Sequence, residues 1–142
     1  MAQQVTLASA RRVIEAASKH AEKIGVPMNI AVVDAGANLV AFIRMDGSWL
    51  GSIDISQHKA FTARAFDKPT KELATMSQPG QPLFGIEASN DGRVVIFAGG
   101  IPLKADGQVV GAIGASGGRP DQDHSVAEAG AAAFAAAAEA GR

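Results

Sequence analysis

Apolar residues follow two periods along this chain, about every third or fourth residue in some segments and every second residue or continuously in others. The first pattern predicts helices. Thr6 can cap a helix that ends at roughly Ile24, before Gly25 and Pro27. The other predicted helices are Ser52–Phe66, Thr70–Met76 and an alanine-rich last helix from Asp121 or Asp123 to about Ala140.

The second pattern predicts five strands, at residues 29–34, 39–45, 93–98, 101–104 and 109–115. Residues 35–38 form a short connection between the first two strands, and Asp106-Gly107 is a hairpin signal between the last two. Short connections of this kind make a sheet mainly antiparallel. We therefore predict one α+β domain over residues 1–142, with its sheet covered by helices in the order αββα(α)βββα.

Composition and charge argue against several classes of protein. The 142 residues are 47% hydrophobic and 19% charged, which is ordinary for a globular protein with one core. Thirteen basic and fourteen acidic residues give a net charge of -1, which disfavours binding to a nucleic-acid backbone. Because a signal-peptide pattern and long apolar runs are both missing, we expect a cytoplasmic protein that does not enter a membrane. The lack of cysteine excludes disulfides and thiolate chemistry.

The predicted helix Ser52–Phe66 carries the side chains most suited to chemistry. His58, Lys59 and Thr62 are spaced so that an imidazole, an ammonium group and a hydroxyl can share one broad face. A haem needs a donor to its iron, which His58 or Thr62 could supply. It also needs cations for its propionates, which Lys59 or Arg44 could supply. The structural alternative is that Lys59 is solvated, Thr62 bonds back to the preceding turn and His58 only packs.

A second group of candidate residues follows the strand 39–45. Arg44 and Asp46 project to the same side of a regular strand. Arg44 could clamp a substrate carboxylate while Asp46, His58 or Lys59 transfers a proton. Alternatively, Asp46 only forms the turn and Arg44 screens its charge. Trp49 could stack on a planar ligand or cover a subunit interface.

Glycine pairs mark two further candidate ligand contacts. Gly99, Gly100 and Pro102 lie at a strand junction and could form a thin pocket wall, although a tight turn also needs glycine. Ser116, Gly117 and Gly118 precede the last helix, whose free amides could bind a carboxylate or propionate. Capping by Asp121 or Asp123 competes with that role.

Five motifs together resemble the GlcG/HbpS family, also called haem-degrading or domain of unknown function 336 and related to the C-terminal domain of PduO-type corrinoid adenosyltransferases. The motifs are Ala31-Val-Val-Asp-Ala-Gly36, Arg44-Met-Asp-Gly47, Lys59-Ala-Phe-Thr-Ala63, Phe97-Ala-Gly-Gly-Ile-Pro102 and Gly111-Ala-Ile-Gly-Ala-Ser-Gly-Gly118. The resemblance implies a profilin-like fold with a five-stranded antiparallel sheet and assembly into homodimers or larger homo-oligomers. It also favours Thr62 as a weak haem contact, ahead of His58.

Three functional hypotheses follow. The first is a haem- or tetrapyrrole-binding protein, with a cleft lined by Arg44, His58, Lys59, Thr62 and the turn from Gly99 to Pro102. The second is a catabolic enzyme that acts on a small carboxylated or carbonyl compound by proton transfer. The third is an oligomeric scaffold or regulatory protein without a small ligand.

Overall fold

The computed structural model describes residues 3–141, which form four helices, four strands and two short 3₁₀ turns. The helices are α1 (Leu7–Ile24), α2 (Ser52–Phe66), α3 (Thr70–Met76) and α4 (Pro120–Ala140). The strands are β1 (Asn29–Asp34), β2 (Leu39–Arg44), β3 (Gly100–Ala105) and β4 (Gln108–Ser116). The 3₁₀ turns are Ile86–Ala88 and Asn90–Gly92. Within residues 3–141, every helix falls short of what a membrane crossing requires in length or hydropathy.

Local signals set the bounds of α1 as predicted. The hydroxyl of Thr6 accepts a hydrogen bond from the Ser9 amide at 3.0 Å, and the Ser9 hydroxyl accepts one from the Thr6 amide at 2.8 Å. This reciprocal arrangement satisfies amides that a helix start leaves without a partner. Gly25 ends the helix in the left-handed conformation, with a φ of 74°. The cap at Thr6 and the end at Ile24 are confirmed.

The start of α4 differs from the prediction. The capping residue is Arg119, followed by Pro120 in the first turn, so Asp121 and Asp123 both lie inside the helix. The Arg119 amide donates to the Gln122 side chain at 2.9 Å, which satisfies the cap without an aspartate. The predicted capping role of Asp121 or Asp123 is therefore wrong. Proline suits this position because its missing N–H would have no partner there.

The sheet contains four antiparallel strands in the order β2-β1-β4-β3 across residues 3–141. This confirms an α+β fold with hairpins, but the prediction of five strands is wrong. Residues 93–98 are irregular instead. The amide of Val95 donates to the hydroxyl of Thr62 at 3.0 Å, so a side chain of α2 takes the place of a strand partner. An apolar, β-branched run forms a strand only where a sheet edge is available to it.

The sheet separates two hydrophobic clusters. Ile30 and Val32 of β1 pack in the cluster shared with α1 and α4, whereas Ala31 and Val33 pack beside Ala60 of α2. This alternation follows from the two-residue period of a strand. Helix α2 lies across β1, β4 and β3, to one side of the edge strand β2. The arrangement leaves space between α2 and the β1–β2 hairpin.

Glycines in the sheet, Gly100 of β3 and Gly114 of β4, let the backbone of α2 approach it closely. A Cβ atom on Gly114 of β4 would overlap the carbonyl oxygen of Ser56 and lie 2.6 Å from the backbone nitrogen of Ala60. Only a residue without a side chain permits this backbone contact. Gly114 therefore fixes how close α2, and every side chain that it carries, lies to the sheet.

Candidate functional site

Helix α2 presents different chemistry on its two sides. Residues 54, 57, 58 and 61 follow helical spacing and line a cleft, whereas Ser56, Lys59, Ala60 and Ala63 are buried beneath the helix. Consecutive helical residues point about 100° apart, which separates His58 from its neighbour Lys59. The prediction that His58 and Lys59 share one face is therefore wrong.

The cleft beside α2, called here the His58 cleft, has a volume of about 180 Å³. The β1–β2 hairpin and the irregular segment after the second 3₁₀ turn close it from the other sides. Its lining residues are Val33, Ala37, Leu39, Asp54, Gln57, His58, Phe61 and Arg93. The walls therefore combine aliphatic and aromatic side chains with one imidazole and one guanidinium group.

His58 is oriented by a carboxylate one helical turn earlier. Its Nδ1 lies 3.1 Å from Oδ2 of Asp54, and the imidazole is 31% exposed. A hydrogen on Nδ1 that is donated to Asp54 leaves the lone pair on Nε2. Within residues 3–141, Nε2 has no protein partner. The imidazole can therefore bind a metal ion or accept a proton through Nε2.

Arg93 is held in place by an aromatic ring and a backbone carbonyl. Its guanidinium carbon lies 4.1 Å from the centre of the Phe61 ring, and its Nε donates to the carbonyl oxygen of Asn90 at 2.9 Å. A guanidinium group stacks well on an aromatic face. In the described part of the chain, its two Nη atoms have no protein partner. They can form the paired hydrogen bonds that a carboxylate accepts.

Lys59 lies on the opposite side of α2 and is fully buried. Its Nζ donates to Oδ2 of Asp123 at 2.8 Å and to the carbonyl oxygen of Ala115 at 3.0 Å, and lies 5.2 Å from the centre of the Phe97 ring. Burial lowers the pKa of Lys59 and raises the pKa of Asp123, while the attraction between the two groups opposes both shifts. The structural alternative, in which Lys59 is exposed to solvent, is therefore wrong.

Thr62 uses its hydroxyl within the protein. The oxygen lies 2.7 Å from the carbonyl oxygen of His58 and 3.3 Å from that of Arg93, and it accepts from the Val95 amide at 3.0 Å. The structural alternative predicted that Thr62 bonds back to the preceding helical turn, and the hydrogen bond to the His58 carbonyl oxygen is of this kind. The side chain is buried. A haem contact at Thr62 stays a prediction, and it would require these hydrogen bonds to be replaced.

Arg44, Asp46 and Trp49 lie outside the His58 cleft. Arg44 is opposite Asn29 in the β1–β2 register, and its Nη2 lies 3.4 Å from the carbonyl oxygen of Ser48. Trp49 is 62% exposed, and its backbone carbonyl oxygen accepts from the side-chain amide (Nδ2) of the buried Asn29 at 3.0 Å. The ligand-binding and catalytic roles of these three residues stay predictions for a separate surface.

The glycine pairs pack against protein groups. Gly99 has a φ of 129°, and a Cβ there would lie 2.6 Å from Nζ of Lys59. Gly100 contacts the backbone of Lys59, while Pro102 lines a different groove of about 430 Å³ formed with α3 and α4. The prediction that His58, Lys59 and the turn from Gly99 to Pro102 line one cleft is therefore wrong.

The polar groups of the segment before α4 also form hydrogen bonds within the protein. The hydroxyl of Ser116 donates to that of Ser52 at 2.9 Å. The amides of Gly117 and Gly118 donate to Oδ1 of Asp123 at 3.2 and 2.8 Å. The chain's own carboxylate therefore occupies the place predicted for a ligand anion. Binding roles for Ser116, Gly117 and Gly118 stay predictions.

Of the residues that line the His58 cleft, only His58 was among the predicted site residues; the missed residues with polar or aromatic side chains are Asp54, Gln57, Phe61 and Arg93. The first three could have been found from their spacing with His58, since residues 54, 57, 58 and 61 form one helical stripe. Arg93 carried no such signal, because it lies in a segment that the sequence pattern assigned to a strand. Its place in the cleft depends on tertiary structure.

Comparison with a family model decides the classification. The model described as "Haem degrading protein HbpS-like" matches residues 5–132. The chain belongs to the HbpS-like family. The resemblance drawn from the five motifs is thereby confirmed.

Members and relatives of the HbpS-like family match in sequence and in structure. The chain is 42% identical over 124 residues to an uncharacterised 15.0 kDa protein of Citrobacter freundii from the dhaT-dhaS intergenic region, which covers 87% of each chain. The crystal structure of Klebsiella pneumoniae protein ORFY has a TM-score of 0.91 and 39% identity, covering 94% of this chain and 92% of that one. The crystal structure of a PduOC:heme complex has a TM-score of 0.88 and 34% identity, covering 92% and 95%.

Proposed function

We propose that this protein binds haem or a related tetrapyrrole in the His58 cleft, with Nε2 of His58 as the ligand to iron. The proposal rests on the position of the His58 imidazole. Asp54 holds its Nδ1, and its Nε2 has no protein partner within residues 3–141. Histidine is the ordinary axial ligand of haem iron. The HbpS-like family and the similar PduOC:heme structure support the choice of ligand class.

The side chains of the cleft have the chemistry that a haem requires, but the cleft is smaller than a haem needs. Val33, Leu39 and Phe61 offer apolar contacts to a porphyrin, and the Arg93 guanidinium suits a propionate. The volume of about 180 Å³ is smaller than the roughly 300–1,000 Å³ of clefts that enclose drug-sized ligands. Most of a macrocycle would therefore stay outside the cleft. A bound haem would supply iron coordination and electron-transfer chemistry.

The proposal ranks His58 above Thr62. Iron binding by His58 uses a nitrogen without a protein partner, whereas binding by Thr62 would displace the hydroxyl from the Val95 amide. A buried amide that loses its partner costs about 1–3 kcal/mol, and the partly buried Val95 amide would cost up to that amount. The physical argument thus reverses the order that the family resemblance favours.

Titration of the purified protein with haemin tests the proposal. We expect a saturable shift of the Soret band in the wild type and in Thr62→Val, and a loss of at least tenfold in affinity in His58→Ala. His20→Ala is the matched control, because His20 lies on α1 and contacts Ser125 of α4. The absence of a saturable shift in the wild type would refute haem binding. Unchanged affinity in His58→Ala would refute the ligand assignment.

A cytoplasmic location and assembly into homo-oligomers stay predictions alongside this proposal. The exposed side chains of Trp49 and Leu50 at the start of α2 are the kind of apolar surface that a subunit contact covers. Size-exclusion chromatography with light scattering measures the assembly directly.

A further inference from the structure

We propose that the His58 cleft is also a proton-transfer site for small 2-oxo acids, with His58 as the general base. This activity goes beyond haem binding and does not depend on it. Two groups with different roles line the same small cleft, the His58 imidazole and the Arg93 guanidinium. Within residues 3–141, Nε2 of His58 and the two Nη atoms of Arg93 have no protein partner. A base beside a carboxylate anchor is the minimum that proton removal from a small acid requires.

The hydroxyl of Thr62 shows how closely the main chains of His58 and Arg93 approach each other. It lies within hydrogen-bond distance of the carbonyl oxygens of both His58 and Arg93. The main chains at the base and at the anchor therefore meet at one buried side chain. Phe61 adds a second connection, because the Arg93 guanidinium stacks on its ring.

Asp54 acts here as a positioning residue. Its carboxylate lies 3.1 Å from Nδ1 of His58, which fixes the tautomer whose lone pair is on Nε2. It also stabilises the imidazolium that forms when Nε2 takes a proton. The Asp54 side chain is 74% exposed, so its replacement does not disturb the core.

The cleft size and the charges select the substrate class. A volume of about 180 Å³ is below the roughly 300–1,000 Å³ of clefts that enclose drug-sized ligands, which suits an acid of a few carbons. Arg93 supplies the charge for a carboxylate. A carbonyl next to that carboxylate acidifies the adjacent C–H bond. A short 2-oxo acid has all three properties.

The reaction needs no co-reactant. Nε2 of His58 takes a proton from C3 of the 2-oxo acid, and the electron pair of the C–H bond moves to form an enolate on the carbonyl oxygen. The Arg93 guanidinium holds the carboxylate of the acid throughout this step. The proton on Nε2 of the imidazolium exchanges with solvent, and in heavy water the imidazolium then returns deuterium to C3. The net change is exchange of the C3 hydrogens with solvent.

Proton NMR of 2-oxobutanoate in heavy water with haem-free protein tests this inference. We expect the C3–H signal to disappear at least 100-fold faster with the wild type than with His58→Ala, in line with the usual contribution of a general base. His20→Ala should match the wild type. A wild-type rate no greater than that of His58→Ala, or of free imidazole at the same concentration, would overturn the proposal.

Substitutions of Asp54 and Arg93 should change different kinetic constants. Asp54→Asn should lower kcat at least tenfold at unchanged KM, because an amide in that place favours the wrong tautomer, and Asp54→Glu should restore part of the rate. Arg93→Gln should raise KM at least tenfold and leave kcat within threefold. An unchanged kcat in Asp54→Asn, or an unchanged KM in Arg93→Gln, would refute the corresponding role.

The outcome is independent of the haem result. Exchange in the haem-free protein supports the proton-transfer site even if no Soret shift occurs, and a Soret shift without exchange refutes this site alone. If both activities are found, haemin should inhibit exchange, because both ligands need Nε2 of His58.

Discussion

Nζ of Lys59 lies 2.8 Å from Oδ2 of Asp123, and neither side chain is more than 4% exposed. The pair joins the underside of α2 to the first turn of α4 across 64 residues of sequence. The same carboxylate accepts the amides of Gly117 and Gly118 through its other oxygen. One side chain therefore ties a helix, a strand end and a second helix together.

Removal of the lysine charge should destabilise the fold strongly. Lys59→Met leaves a buried carboxylate without its cation, and such a change costs about 3–5 kcal/mol. Adding Asp123→Asn should recover part of this loss, because no unpaired charge stays buried and the amide oxygen can still accept from the glycine amides. Urea unfolding followed by circular dichroism gives the free energies of unfolding.

The matched control for this prediction is Lys19→Met. Lys19 lies 3.2 Å from Glu15, but both side chains are largely exposed, so we expect a change below about 1 kcal/mol. If Lys59→Met costs no more than Lys19→Met, the buried pair does not hold α2 to α4.

Protonation of His124 should weaken the fold as the pH falls. Burial lowers the pKa of His124, nearby Lys71 lowers it further, and Glu128 opposes both. The unfolded chain takes up this proton at about pH 6.5, while the folded protein takes it up only at lower pH. Stability therefore falls as the pH drops from about 6.5 through the lowered pKa. His124→Gln should reduce the fall in unfolding free energy between about pH 7.5 and pH 5.

His20→Gln provides the comparison for the pH series, because it removes a histidine from α1 while leaving His124 in place. An equal slope in His124→Gln and the wild type would show that His124 does not carry the effect.

A methyl group on Gly114 should push α2 away from the sheet. The added Cβ meets the Ser56 carbonyl oxygen and the Ala60 nitrogen, which are backbone atoms that cannot rotate aside. Overpacking of this kind costs about 1–3 kcal/mol. Gly51→Ala is the control, because Gly51 has a φ of -62° and no atom within 4 Å of an added Cβ. Equal melting temperatures for the two variants would contradict the close packing.

Loss of the Thr62 hydroxyl should loosen the segment that carries Arg93. Thr62→Val keeps the shape of the side chain but leaves the Val95 amide without its acceptor, at a cost of about 1–3 kcal/mol. Hydrogen exchange should become faster at the Val95 amide. Thr75→Val, at an exposed hydroxyl that donates to the Glu72 carbonyl oxygen, should leave that amide unchanged. Unaltered exchange at Val95 in Thr62→Val would contradict the hydrogen bond.

Local sequence signals were sufficient for the bounds of α1, α2 and α3, but not for the cap of α4. Thr6 and Gly25 enclose α1 with a cap at each end, and both contacts involve residues within one turn. Residues 93–98 show the limit of this approach. Their composition is typical of a strand, but a strand also needs a neighbour, and Thr62 supplies the hydrogen-bond partner instead.

The candidate site was only partly predictable for the same reason. His58 was recognised from its chemistry, and its partner Asp54 is one helical turn away. The burial of Lys59 depends on Asp123, which lies far along the chain and becomes a neighbour only after folding. Arg93 reaches the cleft through irregular chain, whose path no periodic pattern describes.

The hydrogen bonds of Thr62 join two walls of the His58 cleft, so we expect the two walls to move together. His58 belongs to the same helical turn as Thr62, and the chain at Arg93 and Val95 is attached to that turn through the hydroxyl. A small shift of α2 along the sheet would carry the imidazole and the guanidinium together past Val33 and Leu39. The main chains at His58 and Arg93 would keep their spacing while the opening of the cleft changed.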